Sequence, residues 1–217
     1  MLQKTYFACE QQQQTESKFL LMQYERISDR PRVKSKEMIA HCAKEIFPDS
    51  QELSGWSMSY LTHHQERIAL DLDIVDNTNS SKARILEFGS IPLLLTLALK
   101  KSGYNVTGLD IAPERYSKII SELELDILKC NIETDKLPIT DNSFDIVLFN
   151  ELFEHLRINP IFTLEEVFRV LKPGGILFLS TPNLRSISGI LNFLLRNKSY
   201  SCCDDIYSEY LKIEKIY

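Results

Sequence analysis

The sequence predicts an α/β fold: a doubly wound, mostly parallel sheet with helices on both faces and a helical N-terminal cap. From Lys82 onward, short apolar segments typical of buried strands alternate with segments of helical spacing. Two of the strand candidates, Asp145–Phe149 and Gly175–Ser180, are each followed directly by polar residues. Because ligands of open parallel sheets bind outside the carboxyl ends of the strands, one crevice is expected there. The polar residues are Asn150, Glu151, Glu154 and His155 after the first strand, and Thr181, Pro182 and Asn183 after the second.

The composition narrows the classes of protein to consider. The 217 residues are 44% hydrophobic and 25% charged, with a net charge of −5. Phosphate binding needs a basic field, so we expect no DNA partner, and RNA is disfavoured. Five cysteines, without a C-x-x-C pair, fit a reduced, cytoplasmic setting. We expect no signal peptide and no transmembrane segment, since no apolar run approaches about 20 residues.

Residues 1–80 are predicted to form the helical cap. Residues 1–15 form a loose start, and the polar run 76–81 separates the cap from a core at residues 81–183. Apolar residues at helical spacing indicate three helices in the cap. These are Lys18–Ile27, Lys36–Phe47 and Trp56–Val75.

The core is predicted to alternate strands and helices. Besides the two strands already named, its strand candidates are Ala83–Phe88, Tyr104–Leu109 and Leu123–Leu128. Its helix candidates are Leu93–Lys101, Pro113–Ile120 and Leu164–Leu171. Pro113 suits the first turn of a helix, where its missing N–H costs nothing.

Residues 184–217 are predicted to form a lid or an edge segment. Many parallel sheets are completed by a further helix and hairpin, for which too few residues remain, so we expect the C-terminal part of the sheet to be truncated or completed unusually. The segment Ile187–Leu195 carries a wide apolar face. That face fits a lid over an apolar acceptor, a membrane-surface contact, core packing or a homodimer contact.

The first strand of the core leads into a nucleoside-type site. Gly89 follows it, and Asp110 ends the next strand, where a carboxylate can accept hydrogen bonds from ribose hydroxyls. The loop is not G-x-G-x-x-G, because Ile91 and Leu93 stand where a pyrophosphate needs close backbone approach. A ligand with a ribose and no phosphate suits this loop better.

These motifs together resemble the class I S-adenosyl-L-methionine (SAM)-dependent methyltransferases. The resemblance rests on the order of ILEFGS, VTGLDIAPE, CNIETDKLPITDNSFDIVLFNELFEHL and LKPGGILFLSTPN. It is strongest to the group that includes ubiquinone-pathway O-methyltransferases and bacterial sugar methyltransferases. It implies a Rossmann-like core and methyl transfer to a hydroxyl of a small sugar, lipid-linked or quinone-like acceptor. The alternatives are a catalytically silent binding subunit and an RNA 2′-O-methyltransferase.

The resemblance also implies cofactor contacts. Glu87 and Gly89 would line the methionine end of SAM, Asp110 would bind the ribose, Ile111, Asn131 and Ile132 would lie at the adenine, and Asn150 would contact the amino-acid end through its backbone. Asn131 stands where an acidic residue is usual, yet an amide can both donate to and accept from an adenine edge. The alternatives are a turn aspartate for Asp110 and a loop cap for Asn131.

Glu151, Glu154 and His155 have the spacing i, i+3, i+4, which puts them on one face if the segment is helical. His155 is then a general base, or the three residues bind a divalent metal, or the group is structural. The RNA enzymes of this type use a further histidine downstream, and none follows His155.

Four residues of the third predicted cap helix lie on or near one face: Tyr60, His63, His64 and Arg67. Arg67 would reach the SAM carboxylate if this helix covers the site. The alternative is a solvated helix face.

Overall fold

The structure, a computed structural model of the chain, describes residues 7–11, 20–23, 30–47, 51–78 and 83–181. Pro182, Asn183 and the expected lid or edge segment at residues 184–217 lie outside this part of the chain. Side-chain environments are described for residues 30–47, 59–78 and 83–181.

The described residues form seven strands and five α-helices. The strands are β1 (Phe7–Gln11), β2 (Leu20–Gln23), β3 (Arg84–Phe88), β4 (Asn105–Asp110), β5 (Asp126–Lys129), β6 (Phe144–Asn150) and β7 (Leu171–Ser180). The helices are α1 (Val33–Ile46), α2 (Gln51–Asn77), α3 (Leu94–Lys101), α4 (Ser117–Glu122) and α5 (Pro160–Val170). Two 3-10 helices cover Pro113–Tyr116 and Phe153–His155.

The strands form one sheet in the order β2-β1-β7-β6-β3-β4-β5. The five strands from β7 to β5 pair in parallel, whereas β1 runs antiparallel to β7 and β2 antiparallel to β1. The chain order reverses between β3 and β6, which is the switch point where α/β sheets bind ligands. The prediction of a mostly parallel, Rossmann-like sheet is confirmed.

Helices cover both faces of this sheet, as predicted. Ile85 and Ile146 face one buried cluster, which includes Ile39 of α1 and Leu97 of α3. Their strand neighbours face a second cluster, in which Val147 packs with Val167 of α5. This period-two alternation between two apolar layers accounts for the near-continuous apolar strands of the core. Each fully buried aliphatic side chain contributes about 1.5–3 kcal/mol.

The N-terminal segment corrects two expectations. Residues 1–15 were expected to be loose, and Lys18–Ile27 to be helical, but β1 and β2 form a hairpin-like pair at the edge of the sheet. Cys9 pairs with Leu177 of β7. The local spacing of apolar residues suggested a helix, and it could not reveal the pairing of β1 with β7, because β7 lies far away along the chain. The edge beside β7 is therefore completed by the beginning of the chain.

Helix α2 is attached to the start of α1 by a buried aspartate. Asp73 accepts hydrogen bonds from the backbone N–H of Arg32 (2.7 Å) and from its Nε (2.6 Å). The hydroxyl of Ser35 also donates to Asp73. These bonds satisfy donors at the N-terminus of α1 and fix the position of α2 over the end of the sheet.

Candidate active site

The carboxyl ends of the five parallel strands lie at one edge of the sheet and bring the predicted site residues together. Asn150 of β6 pairs with Ser180 of β7, so Glu151 and Thr181 leave the sheet side by side. Gly89 has a φ of 69°, which a residue with a Cβ rarely adopts, and its N–H donates to Leu109 O (2.9 Å). This turn carries the chain from β3 towards α3.

The next strand approaches this turn so closely that it requires a glycine. A Cβ on Gly108 would lie 2.7 Å from the Cβ of Ser90 and 2.6 Å from Cδ1 of Ile127. Gly108 therefore lets β4 pack directly behind the turn, which places Asp110 next to Ile91.

A small pocket lies between α2 and the turn after β3. Its volume is about 40 Å³, enough for a polar end group or a few water molecules. Its polar lining comes from α2, from β3 with its turn, and from β6. These residues are Tyr60, Arg67 and Asp71, then Glu87, Gly89 and Ser90, and finally Asn150.

Arg67 is a buried cation in the wall of this pocket. Its side chain is 11% exposed, and one terminal nitrogen donates to the hydroxyl of Tyr60 (2.9 Å). The other terminal nitrogen lies 3.9 Å from a carboxylate oxygen of Asp71. Nε of Arg67 has no hydrogen-bond partner among the described residues. A buried guanidinium with an unused N–H is suited to an anionic group.

Oγ of Ser90 and Oδ1 of Asn150 are also buried without a hydrogen-bond partner in the described part of the chain. Both residues line the pocket, and Ser90 is only 2% exposed. A buried polar atom left unpaired costs about 1–3 kcal/mol, so a ligand that satisfies it gains that energy. Two acceptors and the N–H of Arg67 form a set that complements an ammonium and a carboxylate.

Glu87 closes the bottom of the pocket. It is 7% exposed, and its carboxyl group accepts a hydrogen bond from Thr96 Oγ1 (2.5 Å). Burial raises the pKa of Glu87 to about 8, opposed by the bond from Thr96 and reinforced by the nearby charge of Asp71. The group is therefore mainly protonated at neutral pH until a cation approaches.

Asp110 is held in a fixed orientation at the end of β4. One oxygen accepts from the backbone N–H of Ile91 (3.2 Å) and the other from that of Ala112 (3.0 Å). Burial raises the pKa of Asp110, and these backbone N–H groups lower it. These two bonds hold the carboxylate in the turn, and each of its oxygens retains a lone pair for a further hydrogen bond, so the ribose role of Asp110 stays a prediction.

Asn131 caps the loop after β5, as its alternative interpretation anticipated. Its Oδ1 accepts from the backbone N–H of Glu133 (3.2 Å), which leaves its amide NH₂ as a donor. Ile132 packs against the cluster around α5, whereas Ile111 is 44% exposed. The binding roles of Ile111, Asn131 and Ile132 stay predictions.

Glu151, Glu154 and His155 do not share a face of an α-helix, so that expectation is wrong. Glu151 follows β6 with a φ of 52°, which interrupts helical geometry, and only Glu154 and His155 fall in a 3-10 helix. Within the described residues, no group of three or more His, Cys, Asp or Glu side chains could hold a metal ion.

Glu151 is bonded to β7 instead. Its N–H donates to Ser180 O (2.9 Å), and the hydroxyl of Ser180 donates to its carboxylate (3.1 Å). Burial and the charge of Arg157 lower the pKa of His155, and Glu151 acts in the opposite direction. The imidazole is therefore neutral at neutral pH, which is the form that accepts a proton.

The four residues singled out on α2 divide into two groups. Tyr60 and Arg67 line the pocket, and the ring of His64 packs on Tyr60 with centroids 4.4 Å apart. His63 is exposed, with Nδ1 2.6 Å from Ser59 O.

Sequence reasoning missed Asp71 and Ser90. Both line the pocket. Asp71 lies four residues after Arg67, and this ion-pair spacing on a helix was the available signal for it.

Comparison with known proteins identifies the core. A strand-end crevice with Asp110 at the end of β4 and no G-x-G-x-x-G loop is the arrangement expected of a nucleoside-binding α/β domain. Residues 86–179 match the family model described as a methyltransferase domain. This part of the chain is therefore similar to the class I SAM-dependent methyltransferases, a family whose cofactor is SAM.

The chain is similar to curated ubiquinone biosynthesis O-methyltransferases. It is 36% identical to that of Xanthomonas campestris pv. campestris over 106 residues, 46% of this chain and 44% of the relative. It is 26% identical to that of Colwellia psychrerythraea over 158 residues, 70% of this chain and 62% of the relative. The chain therefore spans less than two thirds of the length of these relatives.

Solved structures that resemble the chain include two SAM-dependent methyltransferases. The protein from Methanosarcina mazei is 26% identical, with a TM-score of 0.46 covering 58% of this chain and 68% of that one. The protein from Aquifex aeolicus is 24% identical, with a TM-score of 0.43 covering 50% of this chain and 62% of that one.

In the part of the chain that the structure describes, no helix combines the length and apolar character needed to cross a bilayer.

Proposed function

We propose that this protein transfers the methyl group of SAM to a hydroxyl of a small molecule. The observation that carries the proposal is the pocket at the end of β3, in a domain whose family uses SAM. There Arg67, Ser90 and Asn150 each have a buried polar atom without a hydrogen-bond partner among the described residues.

The pocket fits the amino-acid end of SAM, which carries an ammonium and a carboxylate. Nε of Arg67 would donate to the carboxylate. The oxygens of Ser90 and Asn150 would accept from the ammonium. A cation placed beside Glu87 favours its ionised form, so the buried acid would release its proton as the ammonium binds.

The nucleoside end would lie along the open edge of the sheet. Asp110 would accept from the ribose hydroxyls with the lone pairs that Ile91 N and Ala112 N leave free. The exposed side chain of Ile111 would pack on the adenine. The amide NH₂ of Asn131 would donate to an adenine nitrogen, because its oxygen is already bonded to Glu133 N.

SAM supplies a methyl group on a sulfonium, an activated electrophile with a neutral leaving group. The residues of the chain therefore need to align the acceptor and remove its proton. Neutral His155 would accept the hydroxyl proton, and the carboxylate of Glu151 would stabilise the resulting imidazolium. The bonds from Ser180 hold that carboxylate in place.

For the acceptor we propose the accepting group and three candidate classes of molecule. The relatives named for ubiquinone biosynthesis are O-methyltransferases, which supports a hydroxyl as the accepting group. We place sugars, lipid-linked intermediates and quinone-like phenols among the candidates.

The test is SAM binding followed by an acceptor screen. Calorimetry should show SAM binding that Arg67→Met weakens at least tenfold, with Lys118→Met, at a side chain 86% exposed on α4, as a control. Labelled methyl from SAM should then be transferred to hydroxyl compounds of the three candidate classes. Absence of SAM binding to the wild-type chain would overturn the proposal.

A catalytically silent binding subunit is the second candidate, and the loop after Gly89 favours it. Leu93 adopts a left-handed φ of 72°, a conformation that glycine adopts without strain, and Ile91 lines the pocket. The loop thus keeps a glycine-type backbone while it carries bulky side chains.

A thermal-shift measurement separates the two candidates. SAM at 100 times its dissociation constant stabilises a protein by about 2.7 kcal/mol. No shift at millimolar SAM would favour the silent subunit.

A further inference from the structure

We propose that Glu133 is a positioning residue that couples the adenine-side loop to the segment carrying His155. The inference rests on the proposed function, because it presumes that SAM binds at this edge of the sheet. It assigns to Glu133 a role that neither the motifs nor the pocket indicated.

The carboxylate of Glu133 holds the end of the His155 segment. One oxygen, Oε1, accepts from the backbone N–H groups of two consecutive residues, Arg157 and Ile158, the latter at 2.7 Å. These residues follow the 3-10 helix that contains His155 and precede α5. Two N–H groups converging on one oxygen fix both the position and the direction of the backbone there.

The backbone of Glu133 belongs to the turn that begins with Asn131. Its N–H donates to Oδ1 of Asn131 (3.2 Å), and Asn131 O accepts from Asp135 N (2.8 Å). The neighbouring Ile132 O accepts from the hydroxyl of Thr163, which is 1% exposed on α5 (3.0 Å). Two of the residues expected at the adenine, Asn131 and Ile132, thus belong to the same turn as Glu133.

The other end of the His155 segment is anchored independently. Glu151 is bonded to Ser180 of β7 through its backbone N–H and its carboxylate. His155 therefore lies between one anchor on β7 and one on the turn after β5. Loss of Glu133 would release only the second anchor, so the sheet and the SAM pocket should remain intact.

The coupling predicts two signals at His155. Burial lowers the pKa of His155, the charge of Arg157 lowers it further, and the charge of Glu151 opposes both. Glu154 is the other charged neighbour in the 3-10 helix. Release of the Arg157 backbone should let the imidazole reach solvent, so its pKa should rise towards the ordinary value of about 6.5. Binding at the adenine-side turn should shift the His155 resonance only while Glu133 connects the two segments.

The experiment follows the imidazole of His155 by NMR, assigned with His155→Gln, and uses S-adenosylhomocysteine as the probe. Wild type, Glu133→Ala, Glu133→Gln and the exposed control Glu165→Gln are titrated with acid and with the probe. Glu133→Ala should raise the pKa of His155 and reduce its response to the probe at least threefold. Glu133→Gln, which keeps an acceptor oxygen, should restore part of both signals.

Calorimetry and thermal unfolding complete the test. The affinity of Glu133→Ala for S-adenosylhomocysteine should change less than threefold. If both Glu133 variants keep the wild-type pKa of His155 and its wild-type response to the probe, the coupling is overturned, and the proposal that the protein binds SAM is unaffected. If Glu133→Ala fails to fold, Glu133→Gln decides, because an effect equal to that of Glu165→Gln also overturns it. Failure of the wild-type chain to bind the probe overturns the proposed function and this inference with it.

Discussion

The two halves of the crevice are built differently. The pocket half stands on regular elements, the helix α2 and the strands β3 and β6, and its charged side chains are almost fully buried. The half around His155 consists of a bend and one 3-10 turn, and its residues are half-buried. Its geometry depends on bonds from distant segments, Ser180 on one side and Glu133 on the other.

The difference matches the tasks that we propose for the two halves. A cofactor common to a family requires fixed donors and acceptors, which rigid elements supply. Loops on a rigid scaffold vary more readily than the elements they connect, which suits the recognition of an acceptor. Substitutions in the pocket half should therefore affect SAM affinity and stability, and those in the other half should affect turnover.

The largest expected effect is on turnover, and it comes from a substitution in the half around His155. His155→Ala should lower turnover about 10²–10⁴-fold, the range of general-base catalysis, with SAM affinity unchanged within twofold. Turnover is measured with an acceptor from the screen, affinity by calorimetry, and exposed His63→Ala is the control. If the SAM affinity of His155→Ala fell together with its turnover, the two halves of the crevice would not have separate tasks.

Arg67→Met should produce the largest loss of stability. It leaves Asp71, which is 2% exposed, without the cation 3.9 Å away. Removal of one partner of a buried pair costs about 3–5 kcal/mol. Urea unfolding followed by circular dichroism measures it, and Arg67→Lys should recover part of the loss. A loss below about 1 kcal/mol would contradict the view that buried charges hold this half together.

Asp110→Ala should weaken SAM binding by about 1.5–3 kcal/mol, the value of hydrogen bonds to a charged group. Asp110→Asn separates charge from shape, since the amide oxygen can still accept from Ala112 N. Calorimetry on both variants provides the measurement. Unchanged affinity in Asp110→Ala would remove this residue from the site.

Glu87 should make stability depend on pH. Its pKa of about 8 in the folded protein lies above the ordinary value of about 4.3. The folded state therefore holds a proton that the unfolded state has lost, and this stability disappears as the pH rises through about 8. Relative to Glu87→Gln, the wild type should lose up to about 1.4 kcal/mol per pH unit between pH 5 and 8.

Glu166 provides the matched control for this prediction. It is as buried as Glu87, at 7% exposed, but Arg169 lowers its pKa. The stability that ionised Glu166 contributes is present above its ordinary pKa and is lost only as the pH falls below that value. The difference in stability between wild type and Glu166→Gln should therefore stay constant between pH 5 and 8. A flat difference between wild type and Glu87→Gln over this range would rule out the buried, protonated acid.

Sequence reasoning succeeded where the signal is local. Apolar runs such as those of β3 and β6 mark buried strands whatever their partners. Gly89 and Asp110 lie at strand ends, as the sequence indicated, while their binding roles stay predictions. It failed where the partner is remote. β1 pairs with β7 across most of the chain, and the helical spacing of Glu151 and His155 was overruled by the positive φ of Glu151.

The amino-acid sequence by itself determined the parallel core and the polar residues at its strand ends, because periodicity and short motifs act over neighbouring residues, and its resemblance to a known family indicated SAM as the cofactor. The tertiary structure alone decided which polar atoms share the pocket, how the edge beside β7 is completed and what holds His155. Arg67 and Asn150, or Glu133 and Ile158, meet only when separate elements pack. Their hydrogen bonds and pKa shifts depend on burial, which arises from the whole fold rather than from any one segment.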